Sequence, residues 1–300
     1  MKLAIAAIEI LSPGLKRFTL AGAELPWAGP GSHLVLQIPG PARVWKNAYS
    51  LTAAPNGAYR IIVRRVGHSR GGSAWLHDHA SLGDVLEVEA PQNFFNPPRS
   101  AKRHLLLSAG IGITPFLAYL QIPGLAYELH HCCKPEEADA FQALLPPGAN
   151  AVLHTSRDAF NLHELMAKQK LDTHLSVCGP DSFMNIAVTA AKSLGWPMAK
   201  IHLESFGGAT GGKPFSVRLE RSGIAVDVGP EESLLDALEA AGLTPSCLCR
   251  GGACGECRMG VLSGTPEHHD HYLSDAEKAS GKFMMICVSR AVTPELVLDF

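Results

Sequence analysis

What this 300-residue sequence lacks narrows its function first. No apolar run approaches the ~20 residues needed to cross a bilayer as a helix, and the longest candidates are broken by Gly, Pro or a charge. Charge is scarce and balanced: 18% of residues are charged, and 26 Lys+Arg against 28 Asp+Glu leave a formal net charge of -2. Such a chain has no field to gather polyphosphate, so nucleic acid is not an expected partner. Eight cysteines are too few for a disulfide scaffold. No internal repeat is present. Met1 to Leu11 has one Lys and a short apolar run interrupted by Glu9, with no clear cleavage site. It reads as a first strand rather than a secretory signal, and the protein is expected in the cytoplasm, away from membranes.

What is present is a globular chain. Hydrophobic residues make up 46% of it, and a length of 300 at ~150 residues per domain permits two or more cores. The first hundred residues show period-two runs, Ser32 to Ile38 and Tyr59 to Val63. Turns at Pro30-Gly31, Pro39-Gly40-Pro41 and Pro55-Asn56-Gly57 separate them, as in an antiparallel β-barrel or sandwich. At His104 the pattern changes. Leu105-Leu106-Leu107 is a continuous apolar strand that enters a Gly-rich turn and then an apolar helix from Pro115 to about Leu120.

Strands are then expected at Ala126 to His130, Ala151 to His154 and His174 to Cys178. Helices are expected at Pro135 to Leu145, Leu162 to Gln169 and Asp181 to Leu194, completing an open α/β parallel sheet. Gly207 to Lys213 has the composition of a linker. Beyond it come a hairpin-like pair (Phe215 to Glu220, Ile224 to Val228), an amphipathic helix (Ser233 to Ala241) and a final strand run, Leu296-Val297-Leu298. The domains expected are thus 1–100, a β-barrel; 101–206, an α/β domain; 207–213, a linker; and 214–300, a third, α+β domain.

Four of the cysteines carry the chemistry. Cys249, Cys254 and Cys257 read C-x4-C-x2-C, and Cys287 follows at a distance of 30 positions, which is the plant-type 2Fe-2S ligand spacing. Four thiolates must converge on two irons, and Gly251, Gly252 and Gly255 let the loop turn its N-H groups toward the sulfurs. Arg250 adds positive charge. A four-cysteine zinc site is the competing reading, but it usually comes as two C-x2-4-C knuckles. Choosing Cys247 as a ligand breaks the spacing, so it reads as a small packing residue. Cys132 and Cys133 read as inert thiols at a strand end.

The order of the three domains is similar to the phthalate dioxygenase reductase and vanillate demethylase reductase family over essentially all of the chain. Pro266-Glu267-His268-His269-Asp270 and Cys287-Val288-Ser289-Arg290-Ala291 also look like that family's ferredoxin segments. The resemblance implies a flavin-binding barrel, an NAD-binding domain and a β-grasp ferredoxin domain. It also implies that Lys46-Asn47-Ala48-Tyr49-Ser50-Leu51 holds the flavin, since Tyr49-Ser50 matches the family's Arg-x-Tyr-Ser motif, with Asn47 at the Arg position. Lys46 or Arg43 is the candidate to replace that Arg. Pro91-Gln92-Asn93 resembles a Pro-Arg-Asn segment, again without its Arg.

Arg70-Gly71-Gly72-Ser73 supplies bare N-H groups and a hydroxyl at a helix start, which suits one phosphate monoester and hence FMN; no separate adenosine platform is visible. Val63-Arg64-Arg65 adds charge beside it or forms a solvated strand face. Gly110-Ile111-Gly112-Ile113-Thr114-Pro115 follows the first strand of the α/β domain, where a helix start meets a dinucleotide, and Pro115 suits the first helical position. By resemblance, Cys178-Gly179-Pro180 faces the nicotinamide, and Glu204-Ser205-Phe206 brings Phe206 past the flavin. Phe206 as ordinary packing is the other reading. NADH is the expected coenzyme; Lys134 and Ser156-Arg157 are where an NADPH 2′-phosphate could sit. His268, His269 and His271 read as surface or interdomain contacts.

The function expected is an FMN and 2Fe-2S NAD(P)H reductase that passes electrons to a separate terminal oxygenase, of Rieske type by the resemblance. No side-chain acid or base is required, and Tyr49, Ser50 and Cys178 position the transfer. The alternatives are a cytochrome P450 or diiron acceptor, an electron-transfer subunit of a larger dehydrogenase, and a zinc-stabilised interaction module.

Overall fold

A computed structural model describes residues 1–26, 28–40, 44–53, 57–67, 71–156, 160–207 and 211–300. Arg43, Arg70 and Arg157, the turn residues Pro41, Pro55 and Asn56, and positions 208–210 of the expected linker lie outside the described residues. The chain forms two compact units, Met1–Glu204 and Ser205–Phe300.

The first unit begins with antiparallel strands β1 (Lys2–Ser12), β2 (Leu15–Ala21), β3 (Ser32–Ile38), β4 (Trp45–Ala53) and β5 (Ala58–Arg64). Helix α1 (Gly72–Asp78), β6 (Val85–Val88) and the short β7 (Gln92–Asn93) come next. Neighbours run β4-β5-β2-β1-β6-β3, and β3 pairs with β4, so six strands close on themselves while β7 adds to β3. Closure leaves these strands no free edge. Leu34, Leu36 and Ile38 of β3 point into a core shared with Phe18, Leu20, Ile61 and Val63, and Leu76 of α1 packs onto the same core. His33 and Val35, at alternate positions, are buried as well. Strand β3 is therefore covered on its outer face too.

The second sheet holds β8 (Arg103–Ala109), β9 (Tyr127–Cys132), β10 (Ala151–His154), β11 (Thr173–Cys178) and β12 (Ile201–Glu204), with α2 (Thr114–Tyr119), α3 (Ala138–Gln142), α4 (Leu162–Ala167) and α5 (Asp181–Ser193) between them. Its order is β10-β9-β8-β11-β12, and every neighbouring pair is parallel. The run Leu105-Leu106-Leu107 is unbroken because both faces are covered. Leu106 packs with Phe116 and Phe141 on one side, while Leu105 and Leu107 pack with Met184 and Ala187 on the other. Each leucine is 0% exposed, worth about 1.5–3 kcal/mol of burial.

The expected helix from Pro135 to Leu145 is instead a 3-10 turn, Pro135–Glu137, continued by the short α3. Proline opens that turn, and Pro146-Pro147 ends the helical stretch. The four-residue β12 had no sequence expectation.

The second unit contains β13 (Phe215–Leu219), β14 (Ala225–Val228), α6 (Leu234–Ala240), β15 (Arg258–Ser263), β16 (Pro266–Glu267), α7 (Asp275–Ser280), β17 (Phe283–Met285), β18 (Arg290–Ala291) and β19 (Glu295–Leu298). Sheet order β14-β13-β19-β15-β17, with β13 and β19 parallel and α6 laid across it, is a β-grasp. Ser233 and Asp236 form a reciprocal capping box at α6, and Leu234, Leu235 and Leu238 bury its apolar face. The expected linker is tied down at its C-terminal end. Gly212 N-H donates to Pro230 O at 3.1 Å, and Arg290 donates to Lys213 O at 3.0 Å.

Candidate functional site

In the α/β sheet the chain leaves β8 for β9 on one side and reaches β11 on the other. The gap between the carboxyl ends of β8 and β11 is thus the point where strand order reverses, and a nucleotide sits at such a point. Both segments expected to receive the nicotinamide nucleotide are there. Gly110–Ile113 is a 3-10 turn leading into α2, and Cys178-Gly179-Pro180 leads from β11 into α5. The turns touch: a Cβ on Gly112 would stand 2.3 Å from the Cys178 carbonyl oxygen and 2.8 Å from Gly179 N. Only a residue without a side chain fits between them.

Thr114 Oγ1 donates to Ile111 O at 2.9 Å, which fixes the turn rather than freeing the hydroxyl. Cys178 is fully buried opposite Glu204 on β12, and burial first, then the Glu204 charge, pushes its thiol well up. It is a neutral wall, not a nucleophile. Lys134 is 72% exposed with Glu136 at 4.0 Å, and Ser156 is exposed.

On the barrel, β4 carries the flavin motif through the closure of the sheet. A Cβ on Gly72 would lie 2.5 Å from Asn47 Oδ1, and one on Gly71, whose φ is 132°, would lie 2.1 Å from the Trp45 ring. The start of α1 is therefore pressed against the Asn47 end of β4, bringing together two elements read separately in the sequence. Ser73 Oγ accepts from Val66 N-H at 3.4 Å. Three positions along β4, Ser50 Oγ is buried with no hydrogen-bond partner among the described residues. Tyr49 and Leu51 pack against the barrel core, and Lys46 and Ala48 are half-buried. A cradle that side chains would fill and an orphaned hydroxyl farther along fit a flavin mononucleotide.

Arg64 is neither a solvated strand face nor a free cation. It bonds Glu137 bidentately at 2.7 and 3.1 Å, tying β5 to the segment after β9, and its Nη2 lies 3.7 Å from the Cβ position of Gly110. Arg65 pairs with Asp78. Sequence reasoning missed Glu137, because nothing local marks a carboxylate 73 positions away as the partner.

The cysteine loop in the second unit is braced from two sides. Arg250, the one non-glycine residue with positive φ (53°) among the described residues, bonds Glu239 at 2.6 and 3.0 Å and Asp236 at 3.2 Å. It thereby anchors the loop to α6. Across the loop, His271 N-H donates to Gly252 O at 3.1 Å, and a Cβ on Gly255, at φ 86°, would strike the Tyr272 ring at 2.3 Å. The Asp270 carboxylate, fully buried, accepts from Leu273 N-H at 2.8 Å and Tyr272 N-H at 3.2 Å, with Lys278 Nζ at 3.8 Å. The reading of His268 as a surface contact is corrected: its side chain is 13% exposed and faces Asp270 within this unit, because that carboxylate organises the whole segment.

The thiols stand in two subsets. Cys257 Sγ is 3.0 Å from Cys287 Sγ, and Cys249 interacts with Cys254. The Cys249 thiol is pulled down first by the Cys254 thiol, then, against burial, by the N-H groups of Gly251, Ala253 and Cys254. A thiolate there has its hydrogen bonds ready, and two pairs of such ligands fit a two-iron cluster. Cys247 packs against the same core, and its thiol reaches Cys257 and Cys287. Phe206 belongs to the second unit and is 40% exposed.

The family of the 2Fe-2S iron-sulfur cluster binding domain matches residues 217–292. The chain is 40% identical over 305 residues to the heme-dependent oxidative N-demethylase beta subunit of Ectopseudomonas mendocina, covering 98% of this chain and 97% of that one. It is 36% identical to the carnitine monooxygenase reductase subunit of Escherichia coli, covering 98% and 97%. It is 34% identical to the phthalate dioxygenase reductase of Burkholderia cepacia, covering 100% and 97%. A solved structure of phthalate dioxygenase reductase, described as modular for electron transfer from pyridine nucleotides to 2Fe-2S, superposes with TM-score 0.82 at 33% identity, covering 100% and 98%.

Proposed function

This chain belongs to the family of oxygenase reductases that includes phthalate dioxygenase reductase and the carnitine monooxygenase reductase subunits, and from that membership we propose how its residues divide the work. The protein is a flavin and iron-sulfur oxidoreductase, the NADH-dependent reductase component of an oxygenase system, with FMN and a 2Fe-2S cluster as its cofactors. A bound flavin takes both electrons of a hydride and gives them up singly, which is what links a pyridine nucleotide to a one-electron centre.

Residues 1–100 bind the flavin, 101–206 the nicotinamide nucleotide, and 214–300 the cluster, with 207–213 joining them. Gly71, Gly72 and Ser73, with Arg70, receive the phosphate at the Asn47 end of β4. Tyr49 and Ser50, flanked by Lys46, Ala48 and Leu51, line the ring. Gly110, Gly112 and Thr114 shape the turn that receives the dinucleotide, while Gly179 and Pro180 leave room for the nicotinamide beside the inert Cys178. Cys249, Cys254, Cys257 and Cys287 would hold the 2Fe-2S cluster as its thiolate ligands. The observation that carries the reading is the contact between Gly112 and the Cys178-Gly179 peptide at the strand-order reversal, in one chain with the four-thiol loop. Exposed Lys134, with an acidic neighbour, favours NADH over NADPH.

Electrons leave to a separate terminal oxygenase, proposed to be of Rieske type. The 40% identity to the beta subunit of a heme-dependent demethylase favours a second reading, a haem acceptor. No helix among the described residues is long and apolar enough to cross a membrane. A cytoplasmic location completes the proposal, since NADH and a reducing pool are found there. Anaerobic NADH should bleach the purified protein, and heat should release FMN. Substrate-dependent NADH consumption with each purified oxygenase class then identifies the acceptor; released FAD, or no bleaching by NADH, would overturn the reading.

A further inference from the structure

Among the described residues Asp270 is the one acidic residue that is buried, its side chain 0% exposed. A carboxylate is almost never left there unpaired, because burial removes the water that stabilises its charge. Its Oδ2 accepts from Leu273 N-H at 2.8 Å and from Tyr272 N-H at 3.2 Å. Those bonds shape a turn, and the neutral oxygen of an asparagine would accept them equally well. The turn therefore accounts for the acceptor and not for the negative charge.

Two contacts give that charge something to act on. A Cβ on Gly252 would lie 3.2 Å from Asp270 Cα and 3.3 Å from its Cβ, so the residue is packed against the loop between Cys249 and Cys254. On its other side Ser289 Oγ, two positions after Cys287, donates to Asp270 Oδ1 at 3.5 Å. One carboxylate thus bridges the loop and the later turn from which the four thiols come. Its cation is Lys278, with Nζ 3.8 Å from Oδ2, but the lysine side chain is 28% exposed and water weakens the compensation. His268 Nδ1 stands 3.5 Å from Oδ1. Arg250, which braces the same loop, is already matched by Asp236 and Glu239 and brings no positive excess.

Four thiolates place negative charge at this loop, and an added electron increases it. A buried, incompletely compensated carboxylate beside the loop opposes that addition, because little water is there to screen it. We propose that the Asp270 charge holds the reduction potential of the 2Fe-2S centre down, favouring transfer of its electron to the acceptor, and that Lys278 opposes it. The inference rests on the assignment of the cluster to the four-thiol loop and adds to it a positioning residue outside the ligand set.

The test is a redox titration of the full-length holoprotein, following the paramagnetic signal of the reduced cluster, with iron content measured on each sample. Asp270→Asn, which keeps an oxygen for the two N-H groups, should raise the potential by about tenfold in the equilibrium for accepting one electron, which is 59 mV. Lys278→Gln keeps a donor toward Asp270 O, which the lysine bonds at 2.5 Å, and should lower the potential by less, since the ammonium is partly solvated. The double variant should fall between the two. Loosened packing would move both single variants the same way, so opposite signs identify the charge. Iron-replete variants with the wild-type potential, or with shifts of one sign, overturn the proposal. If Asp270→Asn loses its iron, the sign of the Lys278→Gln shift decides alone. A wild-type protein without iron or signal overturns the cluster assignment itself.

Discussion

In the first unit the proposed site is mostly backbone, offered at strand ends far apart in sequence; in the second the proposed site is four side chains of one kind on a loop and one later turn. Gly112 touches the Cys178-Gly179 peptide across two parallel strands, and Asn47 touches Gly72 across the barrel wall. The cluster loop instead draws its support from nearby segments, with Arg250 reaching back to Asp236 and Glu239 and the Asp270 segment closing over Gly252. A planar nucleotide needs room and N-H groups, which bare backbone supplies. A metal cluster needs covalent ligands, so its site is written in residue identity.

The comparison breaks most completely at the thiols. Cys249→Ala removes a proposed ligand from the loop and should abolish the cluster, read as lost iron and lost visible absorbance, while NADH still reduces the flavin because the first unit is compact by itself. Cys247→Ala should keep its iron, although that thiol reaches Cys257 and Cys287. The opposite result would mean that the C-x4-C spacing misassigns the loop. In the first unit the matching experiment is Gly112→Ala. Its methyl would meet the Cys178-Gly179 peptide and force the two turns apart, and a misplacement of ~1 Å can cost about a hundredfold in rate. Flavin reduction by NADH should fall by about that factor with iron content unchanged, and an unaltered rate would remove the switch point from the mechanism.

The same contrast explains what could be read from the sequence. The C-x4-C-x2-C spacing lies within nine residues, so its chemistry needed no fold, and the period-two and continuous apolar runs gave the barrel and the parallel sheet. The Leu105 to Leu107 run was legible because burial on both faces removes any polar alternation. The burial of His33 was not legible. A histidine in an alternating strand looks like any outward residue until the register sets it between Ser50 and Gln92. Glu137 was hidden for the same reason, its partner Arg64 being on another sheet. Asp270 was visible only as part of a histidine-rich segment, while its burial and its backbone partners belong to the folded loop.

The second unit can also be broken away from its ligands. Arg290 is 1% exposed and donates to three backbone carbonyls, Glu232 O at 2.7 Å, Gly229 O at 2.9 Å and Lys213 O at 3.0 Å. Arg290→Met keeps much of the volume but leaves those carbonyls without their charged donor, a loss of about 2–4 kcal/mol. Denaturant unfolding followed by cluster absorbance should show that loss, with FMN affinity unchanged. A variant as stable as the wild type would mean that water replaces the guanidinium without cost.

The smallest expected effect separates two things Arg250 does at once. Its backbone holds a left-handed turn, which costs a residue with a side chain about 1–2 kcal/mol, and its guanidinium ties the loop to α6. Arg250→Ala loses the ion pairs and keeps the strain, whereas Arg250→Gly loses the ion pairs and relieves it. Both should be less stable than the wild type, and glycine should exceed alanine by about 1 kcal/mol, part of the relief being offset by glycine's greater freedom in the unfolded chain. Thermal loss of cluster absorbance, measured side by side at one salt concentration, resolves a difference of that size. Equal stabilities would mean that the turn carries no strain and that the ion pairs to Asp236 and Glu239 alone make arginine the residue at this position.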